Sequence, residues 1–414
     1  MNSGDSKKKK TGARRTGPTP GSRPARRASV RLKKAAGPLL LITGEHSGDL
    51  LAADLVHELR LAGYEDFFGT GGDAMAAEGV ELLEHVREMT VIGFIEAFKA
   101  YRRLKALADR VLEEAVRRGA VAAVLVDYPG FNLRFARMLK AAGIRVIYLV
   151  SPQIWAWHYS RIKTIRENVD LMLTLFPFEK DMYAAEGVEA ECIGHPLIRR
   201  IPRRLRREEP LPVVRRPPDI TVGLLPGSRR SEVSRLLGPM LGAARLIRKR
   251  YPRARILLAG ADENLEPLIE SVRLQYADVD VEYHRGRTLR IMEESDVAIV
   301  ASGTATLETA YFRTPMILLY RVGWFNFLFG TLVIRTRFIG IVNILARRQA
   351  SLELLQSEVT PENIFQEFLK ITTDREYRDA IVAELDHVRR TLGRGNPASV
   401  AAGHIERFLS AEGR

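Results

Sequence analysis

Residues 220–232 read ITVGLLPGSRRSE, and this stretch decides the fold. The apolar run 220–225 predicts a buried strand, Gly227 and Ser228 belong to a tight turn, and a helix is expected to begin near Arg229. When a small-residue turn connects a strand to a helix, backbone N–H groups and the positive end of the helix dipole point to the same place. The Arg229 guanidinium adds a positive charge and two parallel hydrogen-bond donors there. The stretch is therefore either a phosphate site or a surface βα turn that contains arginine, and these residues alone favour neither.

The order of strand, small-residue loop and helix recurs along the chain from residue 38, which is typical of a doubly wound α/β fold. Other apolar runs that predict buried strands are residues 39–44, 121–126, 146–150, 171–176, 255–260, 296–301 and 315–320. We expect the run at 315–320 to be the last core strand. Residues 361–414 predict helices. The pattern indicates two α/β halves of comparable size around one crevice.

The chain has 414 residues, which favours two domains and a tail. The segment 199–217 contains eight Arg and four Pro, so it is interpreted as an inter-domain linker. The expected organisation is a disordered basic arm (1–37), an N-terminal α/β domain (38–198), the linker (199–217) and a C-terminal α/β domain (218–396).

The net charge of +14 is unevenly distributed. Residues 1–37 contain twelve Lys or Arg and one acid, Asp5, so they carry +11 and the remaining chain carries only +3. The body is therefore not a nucleic-acid binder by composition. The arm is interpreted as a solvated extension, with attraction to anionic lipid or nucleic acid as the alternative.

Several classes of protein are excluded or disfavoured. The only cysteine, Cys192, excludes an intramolecular disulfide and a multi-cysteine metal site. No GxxxxGK[ST] or HExxH motif occurs, so neither a P-loop NTPase nor a tightly held metal is expected, and no cofactor is predicted. No apolar run reaches the ~20 residues that span a bilayer, and residues 1–37 lack the apolar region of a secretory signal. We expect a cytoplasmic protein that rests on a membrane surface.

Asp127 directly follows the predicted strand 121–126. Ligands of open α/β sheets bind outside the carboxyl ends of the strands, so this carboxylate is expected to face the crevice. Its alternative role is to cap the helix predicted at 132–142. The position of Asp127 at the end of the strand supports a catalytic role at least as well as a capping role. His195 is interpreted as structural rather than as a ligand.

A second small-residue turn, SGTATLE, follows the predicted strand 296–301. Its backbone is open to a ligand and starts a helix, where an anion is favoured, and Glu308 lies about one turn into that helix, within reach of a ribose diol. Capping by Ser302 or Thr304 is the alternative. Two such turns in one half favour a nucleotide diphosphate site. The candidate donor-binding residues in these turns are Gly227, Ser228, Ser302, Gly303, Thr304, Ala305, Thr306 and Glu308.

The segment 89–101, MTVIGFIEAFKAY, is dense in large apolar side chains with only partly helical spacing. It predicts either a core-facing helix or an exposed surface that takes acyl chains or enters a membrane interface. The side chains concerned are Val91, Ile92, Phe94, Ile95 and Phe98.

Between residues 38 and 356 the chain resembles the lipid-A-disaccharide synthase family. The motifs that carry the resemblance occur in that family's order and are GEHSGD (44–49), DYPGFN (127–132), SPQIWAW (151–157), FPFEK (176–180), GHPL (194–197), LLPGSRRSE (224–232), ASGTATLETA (301–310), YRV (320–322) and the NIL…ELLQ region (343–356). Each string alone is weak, but their combination is highly specific.

The resemblance implies two Rossmann-like domains that face a central crevice, which is the B-type glycosyltransferase fold, and a last helix (397–409) that crosses back to the N-terminal domain. It implies UDP-2,3-diacylglucosamine as donor and 2,3-diacylglucosamine 1-phosphate as acceptor, with inversion at the anomeric carbon. Asp127 would be the general base and Arg229 would stabilise the leaving UDP. A contact with the cytoplasmic membrane is implied, an oligomer is compatible with the sequence, and no nucleic-acid partner is expected.

The resemblance also assigns further residues. Asn343 and Gln356 fall in the donor region. The acceptor-side loop contains Gly44, Glu45, His46, Ser47, Gly48 and Asp49. The segment 89–101 becomes the acyl or membrane contact.

This sequence departs from the family pattern at two positions. Gly130 replaces the second Asp that usually follows in DxPDFN, so the assignment of the base rests on Asp127. His46 replaces the Ala of GEASGD and offers a rival base. An epimerase or a transferase with a soluble acceptor on the same fold is the alternative enzyme, and an interaction protein that acts through the basic arm is the non-enzymatic one.

Overall fold

The computed structural model describes residues 37–89, 94–156, 158–205, 219–323, 337–393 and 395–411, with the backbone alone at 94–101 and 203. These residues form two parallel sheets with helices on both faces. The segment 206–218, which makes up most of the predicted linker, and the basic arm apart from its last residue, Gly37, lie outside the described residues.

The first sheet has seven parallel strands in the order β3-β2-β1-β4-β5-β6-β7. Its strands are β1 (Leu39–Ile42), β2 (Phe67–Gly71), β3 (Glu81–His85), β4 (Ala122–Val126), β5 (Arg145–Leu149), β6 (Leu171–Thr174) and β7 (Ala190–Cys192). Its helices are α1 (His46–Leu61), α2 (Asp73–Ala77), α3 (Val86–Met89), α4 (Phe94–Arg118), α5 (Pro129–Ala141), α6 (Arg161–Asn168), α7 (Pro177–Ala185) and α8 (Leu197–Arg200).

The second sheet has six parallel strands in the order β10-β9-β8-β11-β12-β13. Its strands are β8 (Thr221–Leu225), β9 (Arg255–Gly260), β10 (Glu282–Arg285), β11 (Val297–Ala301), β12 (Met316–Tyr320) and β13 (Glu353–Leu355). The helices that follow are α9 (Arg230–Arg250), α10 (Glu266–Arg273), α11 (Thr288–Glu294), α12 (Thr304–Phe312), α13 (Ile341–Ala346), α14 (Pro361–Thr373), α15 (Arg375–Thr391) and α16 (Pro397–Ala411).

The central strands are continuous apolar runs because helices cover both faces of each sheet. The residues of β1, β4, β8 and β11 are all buried; β1, β4 and β11 consist only of Leu, Val, Ile and Ala, and β8 adds Thr221 and Gly223. The α/β class is therefore confirmed.

Two predictions about elements are wrong. The run at 315–320 is not the last strand, because β13 pairs with β12 beyond it. The acceptor-side loop 44–49 is not a loop throughout, since α1 already begins at His46.

The last helix, α16, packs on the first sheet although it follows the second. Its residues Ala401, Ile405 and Leu409 are buried in one cluster with β1 and α1. In the opposite direction, Leu197 and Ile201 pack into the core of the second sheet. The chain thus crosses twice between the two sheets. No helix among the described residues is long and apolar enough to span a membrane.

Candidate active site

Each sheet has a switch point, where the strand order reverses. In the first sheet it lies between β1 and β4, and in the second between β8 and β11. Because connections leave these two neighbouring strands toward opposite faces, a crevice opens at their carboxyl ends, and ligands of doubly wound folds bind there. Each of the four loops that the sequence analysis singled out, those with Glu45, Asp127, Gly227 and Ser302, follows a different one of these four strands. The sequence did not indicate the strand order.

Asp127 follows β4 at the first switch point and has an unusual backbone. Its φ is 47° and that of Tyr128 is 48°, so two consecutive non-glycine residues are left-handed. Asn132 Nδ2 donates to the Asp127 carbonyl at 2.7 Å, and the Tyr148 hydroxyl donates to the same carbonyl oxygen at 2.6 Å. These two bonds hold a strained turn, which is a feature that clusters at functional sites.

The Asp127 carboxyl group is partly buried. Burial raises its pKa, and the negative charge of Glu45 raises it further, against a smaller opposing effect of the Tyr128 backbone N–H. Glu45 follows β1, so the two acids come from the two strands of the switch point. A carboxylate with a raised pKa accepts a proton more readily near neutral pH, as a general base requires.

The acceptor-side loop divides into an exposed and a buried part. Glu45, His46 and Ser47 are exposed at the start of α1. Gly44 is buried under the Tyr128 ring, since a Cβ there would lie 2.3 Å from that ring. Gly48 is buried with Thr43 as its nearest neighbour. Only the three exposed side chains are accessible to a ligand.

Asp49 was predicted to bind the acceptor, but the structure gives it another role. Its carboxylate is buried and accepts hydrogen bonds from the backbone N–H groups of Gly72 at 2.7 Å, Ala74 at 3.1 Å and Met75 at 3.1 Å. It therefore caps the N-terminus of α2. The carboxylate is committed to the fold and is not available to a substrate.

At the second switch point, the turn after β8 contains Gly227, Ser228 and Arg229. Arg229 is the N-cap of α9, and its side chain is largely exposed. Glu232 Oε2 accepts from the backbone N–H groups of Ser228 at 3.0 Å and of Arg229 at 3.3 Å. At the helix end that the sequence predicted as a phosphate site, the Glu232 carboxylate thus already accepts hydrogen bonds from the backbone N–H groups.

The turn after β11 is open by contrast. Gly303 is exposed at the N-cap of α12 and has no side chain to accept from the first-turn N–H groups. A Cβ at Gly303 would meet nothing within 4 Å. Ser302, Thr304 and Ala305 are exposed or partly exposed around it. This helix end can therefore receive an anion without displacing a protein group.

Two other residues of this turn differ in accessibility. Thr306 is fully buried, and its hydroxyl donates to the Gly303 carbonyl at 2.7 Å, so it shapes the turn and does not face a ligand. Glu308 is partly buried. Burial raises the pKa of its carboxyl group, and the charge of Arg200 opposes that rise. Because Arg200 belongs to α8, Glu308 lies where the two halves of the chain meet.

Asn343 and Gln356 were predicted to bind the donor. Asn343 is fully buried and exchanges hydrogen bonds with Ser351: its Nδ2 donates to the carbonyl and its Oδ1 accepts from the N–H. It also donates to Glu353 Oε1 at 2.7 Å. Asn343 therefore connects α13 to β13 through a fully buried side chain. Gln356 Oε1 accepts from the Val322 N–H at 3.1 Å, which commits that oxygen.

The predicted acyl contact is only partly covered by the structure. Val91 and Ile92 lie outside the described residues. Phe94, Ile95 and Phe98 belong to α4, but their side chains are not among those described.

The SPQIWAW and FPFEK motifs meet in a buried network. Glu179 Oε1 accepts from Trp155 Nε1 at 3.0 Å, and Glu179 Oε2 accepts from two backbone N–H groups. Burial raises the pKa of Glu179, although the hydrogen bonds from these donors oppose the rise.

His195 stacks on Phe176, and burial together with Arg200 lowers the pKa of His195 to about 4. These contacts agree with a structural role for His195.

Sequence reasoning missed Tyr148, Asn132 and Glu232 as parts of the site. Asn132 and Glu232 stand inside the quoted motifs, three or more residues beyond the residues that drew attention, so helical spacing could have indicated them. Tyr148 is buried in β5 and carried no signal. Among the described residues, no group of three or more His, Cys, Asp or Glu could hold a metal.

Two Rossmann-like sheets with ligand loops at both switch points define a B-type glycosyltransferase fold. Two solved structures share it: a UDP-N-acetylglucosamine 2-epimerase, described as putative, from Listeria monocytogenes (13% identical, covering 91% of this chain and 96% of that one, TM-score 0.57) and MurG from Acinetobacter baumannii (12%, 90% and 98%, TM-score 0.53). At these identities the likeness concerns the fold alone.

The chain belongs to the lipid-A-disaccharide synthetase family, whose model matches residues 39–396. Relatives named lipid-A-disaccharide synthase occur in Myxococcus xanthus (37% identical, covering 90% of this chain and 97% of the relative) and in Coxiella burnetii (35%, 90% and 98%). The protein is therefore a hexosyltransferase of lipid A biosynthesis, as the motifs predicted.

Proposed function

We propose that the chain transfers 2,3-diacylglucosamine from UDP to the 6-hydroxyl of 2,3-diacylglucosamine 1-phosphate. The products are the β-1,6-linked disaccharide 1-phosphate and UDP. One observation carries the assignment of roles: the first switch point presents a partly buried carboxylate, and the second presents an open helix N-terminus. A proton acceptor and an anion site are the two groups that such a transfer requires.

The reaction begins at Asp127. The 6-hydroxyl oxygen attacks the anomeric carbon on the face opposite UDP, and its proton passes to the Asp127 carboxylate. The bond between the anomeric carbon and the β-phosphate oxygen breaks, with the electron pair going to that oxygen. The configuration at the carbon is inverted. The raised pKa of Asp127 favours the proton transfer, and the bonds from Asn132 and Tyr148 keep its backbone in place.

The donor is held at the second switch point. The diphosphate lies at the N-terminus of α12, beside Gly303 and Thr304, where backbone N–H groups stabilise the charge that builds on the leaving UDP. Arg229 supplies an exposed positive charge from the neighbouring turn. The Glu308 carboxylate accepts from the ribose hydroxyls.

The acceptor sugar lies against Glu45, His46 and Ser47. Its phosphate and acyl chains require a water-to-lipid boundary, so the protein works on the cytoplasmic face of the inner membrane, with the segment 89–101 as its contact. The basic arm, which carries +11, adds attraction to anionic lipid.

The test is incubation of the purified protein with both lipids, with detection of UDP and the disaccharide. Asp127→Asn should reduce transfer by about 10²–10⁴ while UDP binding is retained, because the amide cannot accept the proton. An isomerised UDP-sugar formed without acceptor would instead indicate an epimerase, a function found among the structural neighbours. Absence of both products would contradict the proposal.

A further inference from the structure

A pocket of about 380 Å³ opens between α4 and α5, beside the Asp127 turn. Its volume is within the range of ~300–1,000 Å³ that is usual for small-ligand sites. The residues that line it are Leu104, Lys105, Ala108, Tyr128, Gly130, Phe131, Arg134, Phe135 and Met138. None of the candidate residues whose side chains the structure describes belongs to it.

The wall of the pocket is apolar and partly aromatic. Phe131 and Phe135 are buried and stack with ring centroids 5.6 Å apart, and Tyr128 continues the row with its centroid 6.1 Å from Phe131. Leu104, Ala108 and Met138 complete the wall. An alkyl chain is the ligand that such a wall fits, because it offers apolar surface along its whole length.

The rim of the pocket is positively charged. Lys105 on α4 and Arg134 on α5 are exposed, and the lining residues that the structure describes include no Asp or Glu. An alkyl chain that ends in an anion therefore matches the pocket better than a neutral one.

The pocket also has a defined relation to the reacting atoms. Tyr128, which lines it, directly follows Asp127. Gly130 lies exposed at its edge, and a Cβ there would meet nothing within 4 Å, so the mouth is open beside the catalytic turn. The pocket therefore lies beside the turn that carries Asp127.

We propose that this pocket holds one acyl chain of the anionic acceptor lipid, with Lys105 and Arg134 attracting its phosphate. The inference rests on the proposed function for the identity of the acceptor. It assigns a subsite that selects acyl-chain length. The absence of a side chain at Gly130 keeps the entrance wide.

Binding of alkyl phosphates of six to twelve carbons to the full chain, measured by calorimetry below their micelle concentrations, tests the pocket directly. Each buried methylene should raise the affinity by up to about fourfold until the pocket is full. Longer chains should then bring no further gain. An affinity that is independent of chain length would overturn the proposal.

Variants locate the binding. Ala108→Trp fills the pocket. Gly130→Phe closes the entrance from an exposed position and is the replacement variant if Ala108→Trp does not fold. Either should weaken dodecyl phosphate binding by at least tenfold. Arg134→Glu should weaken it as well, whereas Arg137→Glu, on the same helix but bonded to Thr164 outside the pocket, should not. Equal losses at residues 134 and 137 would indicate general surface charge and contradict the subsite.

Transfer assays separate this inference from the proposed function. If the wild type forms the disaccharide but both pocket variants keep its acceptor KM, the function stands and the subsite is wrong. If the wild type forms no disaccharide yet binds dodecyl phosphate in the pocket, the function fails and the site remains. Loss of vesicle binding in the variants, with an unchanged acceptor KM, would assign the pocket to a bilayer lipid and refute the proposal.

Discussion

Arg229 and Glu232 form an ion pair at the start of α9, with 3.0 Å between Nη1 of the arginine and Oε1 of the glutamate. The other glutamate oxygen accepts from the backbone N–H groups of Ser228 and Arg229. A carboxylate therefore lies on the donors that a diphosphate would use. The PGSR turn is preorganised to bind an anion, and the Glu232 carboxylate of its own helix already occupies that position.

Glu232→Gln should strengthen UDP binding roughly three- to tenfold, the effect of one partly screened unit charge near the diphosphate. The glutamine oxygen can still accept from the turn, so the backbone should be retained. Calorimetry with UDP measures the change, and uridine, which lacks phosphates, is the control and should bind unchanged. Weaker UDP binding would show instead that Glu232 holds Arg229 in its ligand-binding position.

The open end of α12 gives a second prediction. Gly303→Ala should lower UDP affinity at least tenfold, because the added methyl group projects into the space proposed for the diphosphate. The folded protein has room for this group, so the free energy of unfolding should fall by no more than about 1 kcal/mol, the cost of alanine at an N-cap. Unchanged UDP affinity in a stable variant would move the diphosphate away from this helix.

The sequence predicted the central strands well because their signal is local. In β4 and β11 every residue is buried, so the apolar run is unbroken and ends where the loop begins. The edge strands β3 and β13 were missed: β3 has no fully buried residue and β13 has only three residues. The strand order depends on pairing between distant segments, and no local pattern encodes it.

The same limit applies to the site. Residues directly after a strand, such as Asp127 and Ser302, could be placed at the crevice from their position. Whether a polar side chain faces the crevice depends on partners far away in sequence. Asp49 meets the N-terminus of α2 and Asn343 meets Ser351, contacts that no local pattern of the sequence indicates.

Asp49 yields a prediction about stability. Asp49→Ala leaves three N–H groups at the start of α2 without their acceptor and should reduce the free energy of unfolding by roughly 2–3 kcal/mol. Chemical denaturation measures the loss. Glu45→Ala, at the exposed start of α1, is the control and should change stability little. A stable Asp49→Ala protein with a raised acceptor KM would restore the substrate-binding role.

The pair of Glu45 and Asp127 predicts a pH dependence. Asp127 acts as base only when ionised, so kcat should fall as the pH drops through its pKa, which burial and Glu45 raise. Glu45→Gln removes a negative charge that favours the protonated form. The pKa of Asp127 should then be lower, and the acid limb of the kcat profile should move to lower pH.

The rival base His46 is distinguished in the same experiment. Asp127→Asn should reduce kcat by about 10²–10⁴ above the acid limb, the usual contribution of a general base, and should remove the acid limb itself. His46→Ala should leave the acid limb in place, because its titration belongs to the carboxyl group on the neighbouring strand. If His46→Ala instead removes the acid limb and Glu45→Gln does not shift it, the imidazole takes the proton, and the strained turn at Asp127 serves to position the acceptor.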